Sequence, residues 1–161
     1  MAACQSDNPP RKFAQNGVSF LCPAGWECGE AEKLAANAYN LSCEKRGFGS
    51  SGLLTVSWFP GRLELPELQQ IFRTQLKENP IYKMSDLSFG ALRRGHYGRY
   101  TTLSTAFRLR LLDLPHTGMI HAFYGGSKTF VVLTQQAAED SVENRAGFET
   151  IAQSFQSQAA E

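Results

Sequence analysis

The stretch Gly47-Phe48-Gly49-Ser50-Ser51-Gly52 carries the spacing G-x-G-x-x-G, which cradles a dinucleotide pyrophosphate when a strand feeds it and a helix leaves it. Here Gly52 is followed by Leu-Leu-Thr-Val-Ser-Trp-Phe, a β-branched and aromatic run that propagates a strand and offers no helix N-terminus to a phosphate. The hexapeptide reads as a hairpin loop. No nucleotide and no other cofactor is expected.

The histidines, His96, His116 and His121, would have to converge to hold a metal ion. A turn at Pro115 that pairs the flanking strands sets His121 opposite a residue near Arg108 and far from His96, so no metal site is expected. A serine hydrolase finds no better support, because no G-x-S-x-G elbow occurs and Asp113 lies too near His116 in sequence to be its partner. Glu27, Glu30 and Glu32 read as a solvated strand end, while a glycosidase-like carboxylate pair from remote parts of the chain stays open. Arg93, Arg94, Arg99, Arg108 and Arg110 interleave with Tyr97, Tyr100 and Phe107. That series fits a single-strand nucleic-acid surface or a polar sheet face whose charges deter strand addition, and the second reading is favoured. Sixteen basic against fifteen acidic residues leave a net charge of +1, which gives no sequence-wide attraction to nucleic acid or anionic membrane.

The cysteines are Cys4, Cys22, Cys28 and Cys43. Ala2-Ala3-Cys4, followed by a polar, proline-containing segment, resembles the end of a bacterial lipoprotein signal. On that reading Cys4 is the lipid attachment site, an apolar segment precedes Ala2 in the gene, and the chain meets the membrane through its lipid alone. The plain alternative is an ordinary N-terminus with a chance Ala-Ala-Cys. Gln5, where an Asp would favour inner-membrane retention, leans toward the outer membrane. In an oxidising envelope compartment the remaining cysteines can pair. If residues 26–33 and 38–46 form an antiparallel pair turning near Ala35-Ala36, Cys28 and Cys43 fall opposite each other at disulfide distance, leaving Cys22 a buried thiol. Pairing of Cys22 with Cys43 is the competing arrangement.

The elements that must position these residues follow from hydrophobic period. The chain of 161 residues suits one domain with a real core. Residues 1–12 are expected to be a disordered tether, 13–157 the domain and 158–161 a tail. Residues 12–34 read as two short strands, and alternation in 36–46 and 52–61 gives two more. Leu68, Ile71, Phe72 and Leu76 make one apolar helical face, with Pro66 in the first turn and Pro80 beyond the end. Residues 85–112 read as two strands joined near Gly95 and Gly98. Gly125-Gly126 marks a hairpin between 120–124 and 129–133. Phe148, Ile151, Ala152 and Phe155 line a closing helix. Strands, helix, antiparallel strands, helix argue an α+β fold, an α/β/α sandwich on a twisted, mainly antiparallel sheet.

The segments GVSFLCPAGWE, AFRLRLLDLPHTGMIHAFYGGSKTFVVLTQQA and GFETIAQSF resemble the PsbP-like family, in which an extrinsic photosystem subunit, a nuclear import factor and DcrB-type bacterial envelope proteins share one fold. The resemblance covers residues 13–157. It implies a non-enzymatic module that assembles or stabilises other proteins, and it supplies no catalytic residues. The chain is accordingly expected to be an envelope lipoprotein that holds a partner protein. Tyr97, Arg99 and Tyr124 are the expected contact residues, since aromatic and arginine side chains give large contact area at low entropic cost. The alternative is a small envelope enzyme with a site assembled from scattered sheet residues.

Overall fold

The computed structural model describes residues 9–47 and 51–158. In chain order the elements are β1 (Arg11–Gln15), β2 (Val18–Cys22), β3 (Trp26–Cys28), β4 (Glu32–Ala35), β5 (Ala38–Lys45), β6 (Leu53–Pro60), α1 (Leu65–Glu78), β7 (Ser88–Phe89), β8 (Arg93–Tyr97), β9 (Tyr100–Leu111), β10 (Leu114–Gly125), β11 (Lys128–Ala137), α2 (Ser141–Ser154) and β12 (Gln156–Ser157), with one 3-10 turn before α2. The main sheet runs β3-β5-β6-β11-β10-β9-β7. Strand β4 shares the β5 edge with β3, and β8 shares the β9 edge with β7. A second, small sheet is β1-β2-β12. All pairings are antiparallel, so the architecture is α+β as the element order predicts. No described helix is long and apolar enough to cross a membrane.

Why β11 is central can be read from its composition. Phe130, Val131, Val132 and Leu133 are all buried, a continuous apolar run that needs cover on both faces. Phe130 and Val132 join Leu54, Val56, Trp58 and Phe123 in a core closed by Ile151 and Phe155 of the α2 segment and by Phe13, Val18 and Phe20 of the small sheet. Val131 and Leu133 face the other way, with Phe107, Leu109 and Ile120, under Leu68 and Leu76 of α1. The two helices therefore cover opposite faces.

Several local expectations are corrected. Residues 12–34 hold four strands and not two, because Gly17 and Gly25, both at positive φ, break the segment twice and residues 29–31 leave the ladder a third time. Ile71 lies outside the buried stripe of α1, 51% exposed, and Gln69 takes the position, 1% exposed. Its amide nitrogen donates to the carbonyls of Leu103 and Ile120, each at 2.8 Å, which satisfies the donor half of the buried amide, while Oε1 has no hydrogen-bond partner among the described residues. The β10–β11 turn falls at Gly126-Ser127, since Gly125 pairs with Lys128. The β9–β10 turn is Leu112-Asp113, both with positive φ as a two-residue type I′ hairpin requires. Pro115 is consequently inside β10, opposite Arg110. Arg108 faces Thr117, and His121 faces Ser104.

Candidate functional site

That register shift creates a polar cluster within the sheet. Strand residues two apart share a face, so Ser104, Ala106 and Arg108 of β9 and Thr117, Met119 and His121 of β10 all face the α2 side. His121 Nδ1 lies 2.8 Å from Ser104 Oγ, which in turn lies 2.6 Å from Thr102 Oγ1. Both hydroxyl residues are buried. Burial lowers the His121 pKa to about 4, so the imidazole is neutral near neutrality. It can donate or accept a hydrogen bond there but is a weak base.

Tyr97, the last residue of β8, lies against His121 with ring centroids 5.3 Å apart and also packs on Phe123 and Phe155. It is 5% exposed, and its hydroxyl makes no hydrogen bond to any described residue. Desolvation pushes its pKa well above the usual tyrosine value. Tyr97 was expected on an exposed strand face. Gly98, at positive φ with the Ala152 carbonyl against the place of its missing Cβ, lets the β8–β9 turn press onto α2, and this closeness buries the ring.

A groove of about 630 Å³ opens beside these residues. Its floor is Ala106, Met119, His121 and Thr134, one wall is Phe148 and Ala152 of α2, and the other is Gly90 with Tyr97. Arg108 and Glu149 stand at its mouth. A second hollow of about 520 Å³ shares Gly90, Ala106, Met119 and His121 and reaches Arg93 and Ser104. The surface is mainly apolar, with a few convergent polar groups at one end, in the manner of small-ligand and peptide sites.

The remaining candidate residues are scattered. Arg99 is exposed in the β8–β9 turn. Tyr124 is half-buried, donates its hydroxyl to the Leu63 carbonyl at 2.6 Å and carries Arg62 over its ring, so it braces the chain before α1. His96 lies in β8 opposite Thr101 and borders the second hollow, while His116 sits near Glu139 and Asp140, its pKa lowered mainly by burial. Glu27 pairs with Arg46 on the surface, and Glu30 and Glu32 are exposed. Among the described residues no group of three His, Cys, Asp or Glu side chains is arranged to hold a metal ion.

Cys28 and Cys43 are paired across β3 and β5 with Cα atoms 4.0 Å apart. Cys22, on β2, comes equally to Cys28, at a Cα separation of 6.2 Å. The sulfur of Cys28 touches both others. A sulfur forms one disulfide, so Cys28 can bond either Cys43, opposite it in the sheet, or Cys22, whereas the competing arrangement expected from sequence joined Cys22 to Cys43. Cys4 lies outside the described residues.

Ser104 and His121 were missed as a pair because the turn was set at Pro115. A hairpin centred on Leu112-Asp113 puts residues 104 and 121 opposite by symmetry, and Asp113, which tolerates a left-handed backbone, was the available signal.

No family model and no curated protein matches the chain. Among solved structures it is similar to cyanobacterial PsbP (CyanoP) from Synechocystis, with 13% identity, a TM-score of 0.60 and 92% of each chain covered. It is also similar to a protein from Bacteroides thetaiotaomicron, with 14% identity and a TM-score of 0.58 over 91% of this chain and 48% of that one. The chain spans about half the length of the Bacteroides protein. LpqN of Mycobacterium tuberculosis, described as involved in cell envelope biogenesis, gives 11% identity and a TM-score of 0.46 over 92% of this chain and 85% of that one. The likeness to CyanoP shows a PsbP-like fold.

Proposed function

We propose that this chain is a bacterial envelope lipoprotein, anchored through Cys4 and facing the periplasm with the outer membrane favoured, which holds a partner protein and does no chemistry of its own. The observation that carries the reading is the open, mainly apolar groove between α2 and the β9–β10 floor, bordered by exposed Arg93 and Arg108. Such a surface offers apolar contact area with arginines at its rim. The Ala2-Ala3-Cys4 sequence, the likeness of residues 13–157 to DcrB-type envelope proteins, and cysteines placed to bond in an oxidising compartment support the address.

The Ser104–His121 hydrogen bond favours a second reading, an enzyme with a serine nucleophile. Its weakness is physical: Ser104 is only 4% exposed, and a histidine with a pKa of about 4 is poorly matched to removing a serine proton near neutrality.

Radiolabelled fatty acid fed to cells expressing the full-length gene should label the protein, and Cys4→Ser should abolish the label and release the protein from membranes. Crosslinking in those cells should then trap one reproducible partner, which Arg108→Glu at the groove mouth weakens without changing stability. Unlabelled protein in the cytosol overturns the lipoprotein reading. Ester hydrolysis by the purified protein that is lost in Ser104→Ala would replace the binding reading with the enzyme.

A further inference from the structure

We propose that the hollow at the His121 end of the groove is an anion subsite, and that hollow and groove together take a single-chain amphiphile with a carboxylate head, a reading that rests on the groove being a binding surface. Three strands present the head site in one row. Arg93 of β8 lies opposite Ser104 of β9, and Ser104 lies opposite His121 of β10. Residues directly opposite share a face, so all three side chains stand on the α2 side, and all three line the hollow of about 520 Å³. Arg94 and His96 border it as well, and no aspartate or glutamate is among its lining residues.

The hollow thus offers donors and positive charge without a carboxylate to neutralise them. Among the described residues, Arg46 and Arg110 are the arginines whose side chains are spent on ion pairs or hydrogen bonds, so the exposed Arg93 fork is uncommitted. His121 is half-buried and spends Nδ1 on Ser104. When Thr102 donates to Ser104 and Ser104 to Nδ1, the ring is held in the tautomer with its proton on Nε2. Nε2 makes no hydrogen bond to any described residue and, unlike the Tyr97 hydroxyl, keeps access to solvent. A carboxylate set over Ser104 can accept from Nε2–H and from the Arg93 guanidinium together. Arg93 then supplies the counter-charge that an anion needs on losing its water, and the neutral imidazole adds a donor.

The tail follows from what the two hollows share. Gly90, Ala106, Met119 and His121 line both, so the head site opens directly onto the groove. Beyond His121 the floor runs through Met119 and Ala106, with Phe148 and Ala152 of α2 alongside. From the His121 row to the Arg108 row is four residues of strand, about 13 Å, room for an extended chain of about ten carbons. Direction is set by charge. At the mouth Arg108 is accompanied by Glu149, whereas Arg93 and Arg94 at the other end have no acidic neighbour in the hollow. The carboxylate therefore goes to the Arg93 end and the tail toward the mouth.

The test uses the purified chain without any partner protein, so it can fail while partner capture succeeds, and the reverse. N-phenyl-1-naphthylamine, an uncharged probe that brightens in apolar sites, reports occupancy of the groove. Decanoate should displace it at lower concentration than 1-decanol, the reverse of the order that a plain apolar groove gives, since a carboxylate costs more to desolvate than a hydroxyl. Decylammonium should be the weakest of the three. Arg93→Gln should weaken decanoate about fivefold, the worth of one partly exposed ion pair, while leaving 1-decanol and the melting temperature unchanged. Arg99→Gln removes the same charge from the exposed β8–β9 turn and should leave decanoate unchanged. Ala106→Leu, which adds bulk at an exposed floor position common to both hollows, should block decanoate and 1-decanol alike. 1-Decanol binding more tightly than decanoate, decanoate displacement indifferent to Arg93→Gln or equally reduced by Arg99→Gln, or a peptide occupying the groove where decanoate cannot, would each overturn the assignment.

Discussion

Gly147→Ala sets two effects against each other, and the structure decides between them. Within a helix the change ordinarily stabilises by about 1 kcal/mol, because glycine loses more backbone freedom on folding. Gly147 lies on α2 where a Cβ would stand 2.6 Å from Cε2 and 2.7 Å from Cζ2 of Trp26, and closer still to Nε1. The indole has little room to retreat. It is 3% exposed, its far edge would meet a Cβ at Gly52 at 2.8 Å, and Phe148 packs edge-on at 5.3 Å. Two glycines thus flank one ring, and the added methyl must push α2 off the sheet. Overpacking of this kind costs about 1–3 kcal/mol, and a clamped ring belongs in the upper half of that range. The net expectation is a loss of about 1–2 kcal/mol, which for a domain of this size lowers the melting temperature by about 2–8 °C. Urea denaturation followed by circular dichroism and by tryptophan fluorescence measures the loss, and Trp26→Phe in the same chain should recover part of it. If Gly147→Ala raises stability as it would on a free helix, the packing of α2 on Trp26 described above is incorrect.

Gln69→Leu should cost about 1–3 kcal/mol in urea denaturation, because it strips the Leu103 and Ile120 carbonyls of their side-chain donor in a buried setting; an unchanged midpoint would mean that those carbonyls are satisfied elsewhere. His121, with its pKa held near 4 by burial against an ordinary 6.5, takes up its proton later in the folded chain than in the unfolded one. Stability should therefore fall as the pH drops from about 6.5 to about 4 and level off below, by at most about 3 kcal/mol, and His121→Gln should flatten that part of the profile. Cys28→Ser should remove either disulfide that its position allows and cost about 3 kcal/mol relative to a chain bridged to Cys43 across 15 residues. Cys22→Ser should preserve the Cys28–Cys43 bond in non-reducing peptide maps, and free thiols at both positions in envelope-derived protein would contradict the pairing.

The alternation of Leu54, Val56 and Trp58 and the double-sided run at Phe130 to Leu133 were enough to place β6 and β11, since burial on one face or on two is written directly into residue order. Gln69 was not legible in that way, because a helical stripe scores apolar side chains and cannot anticipate a polar one that finds two carbonyls across the interface. Cys28 and Cys43 were legible through a local hairpin, whose turn at Ala36-Asn37 lies one residue from the expected position. Cys22 reaches the same point from another sheet, only six residues away across the turn at Gly25, an approach that strand alternation does not encode. The pairing of Ser104 with His121 depended on a single turn. Leu112 at positive φ is an uncommon choice for that conformation, and the neighbouring proline drew the turn toward itself.

The groove itself has a cause in element lengths. Strands β9 and β10 are each 12 residues long, about 40 Å when extended, whereas α2 has 14 residues and spans about 21 Å. One helix of that length cannot roof both strands, so part of the floor on its side must meet either another element or water. On the opposite face the same shortfall is met by chain that follows α1, since Tyr82, Leu87 and Phe89 add cover to the core beneath that helix. On the α2 face the small sheet packs at the Phe13 and Phe20 end, and the rows from Ala106 to Arg108 are left without a roof. Their composition matches that fate: Ala106 and Arg108 are exposed while Phe107 and Leu109, one step out of phase, are buried. The alternation in the β9 sequence thus records which face is covered.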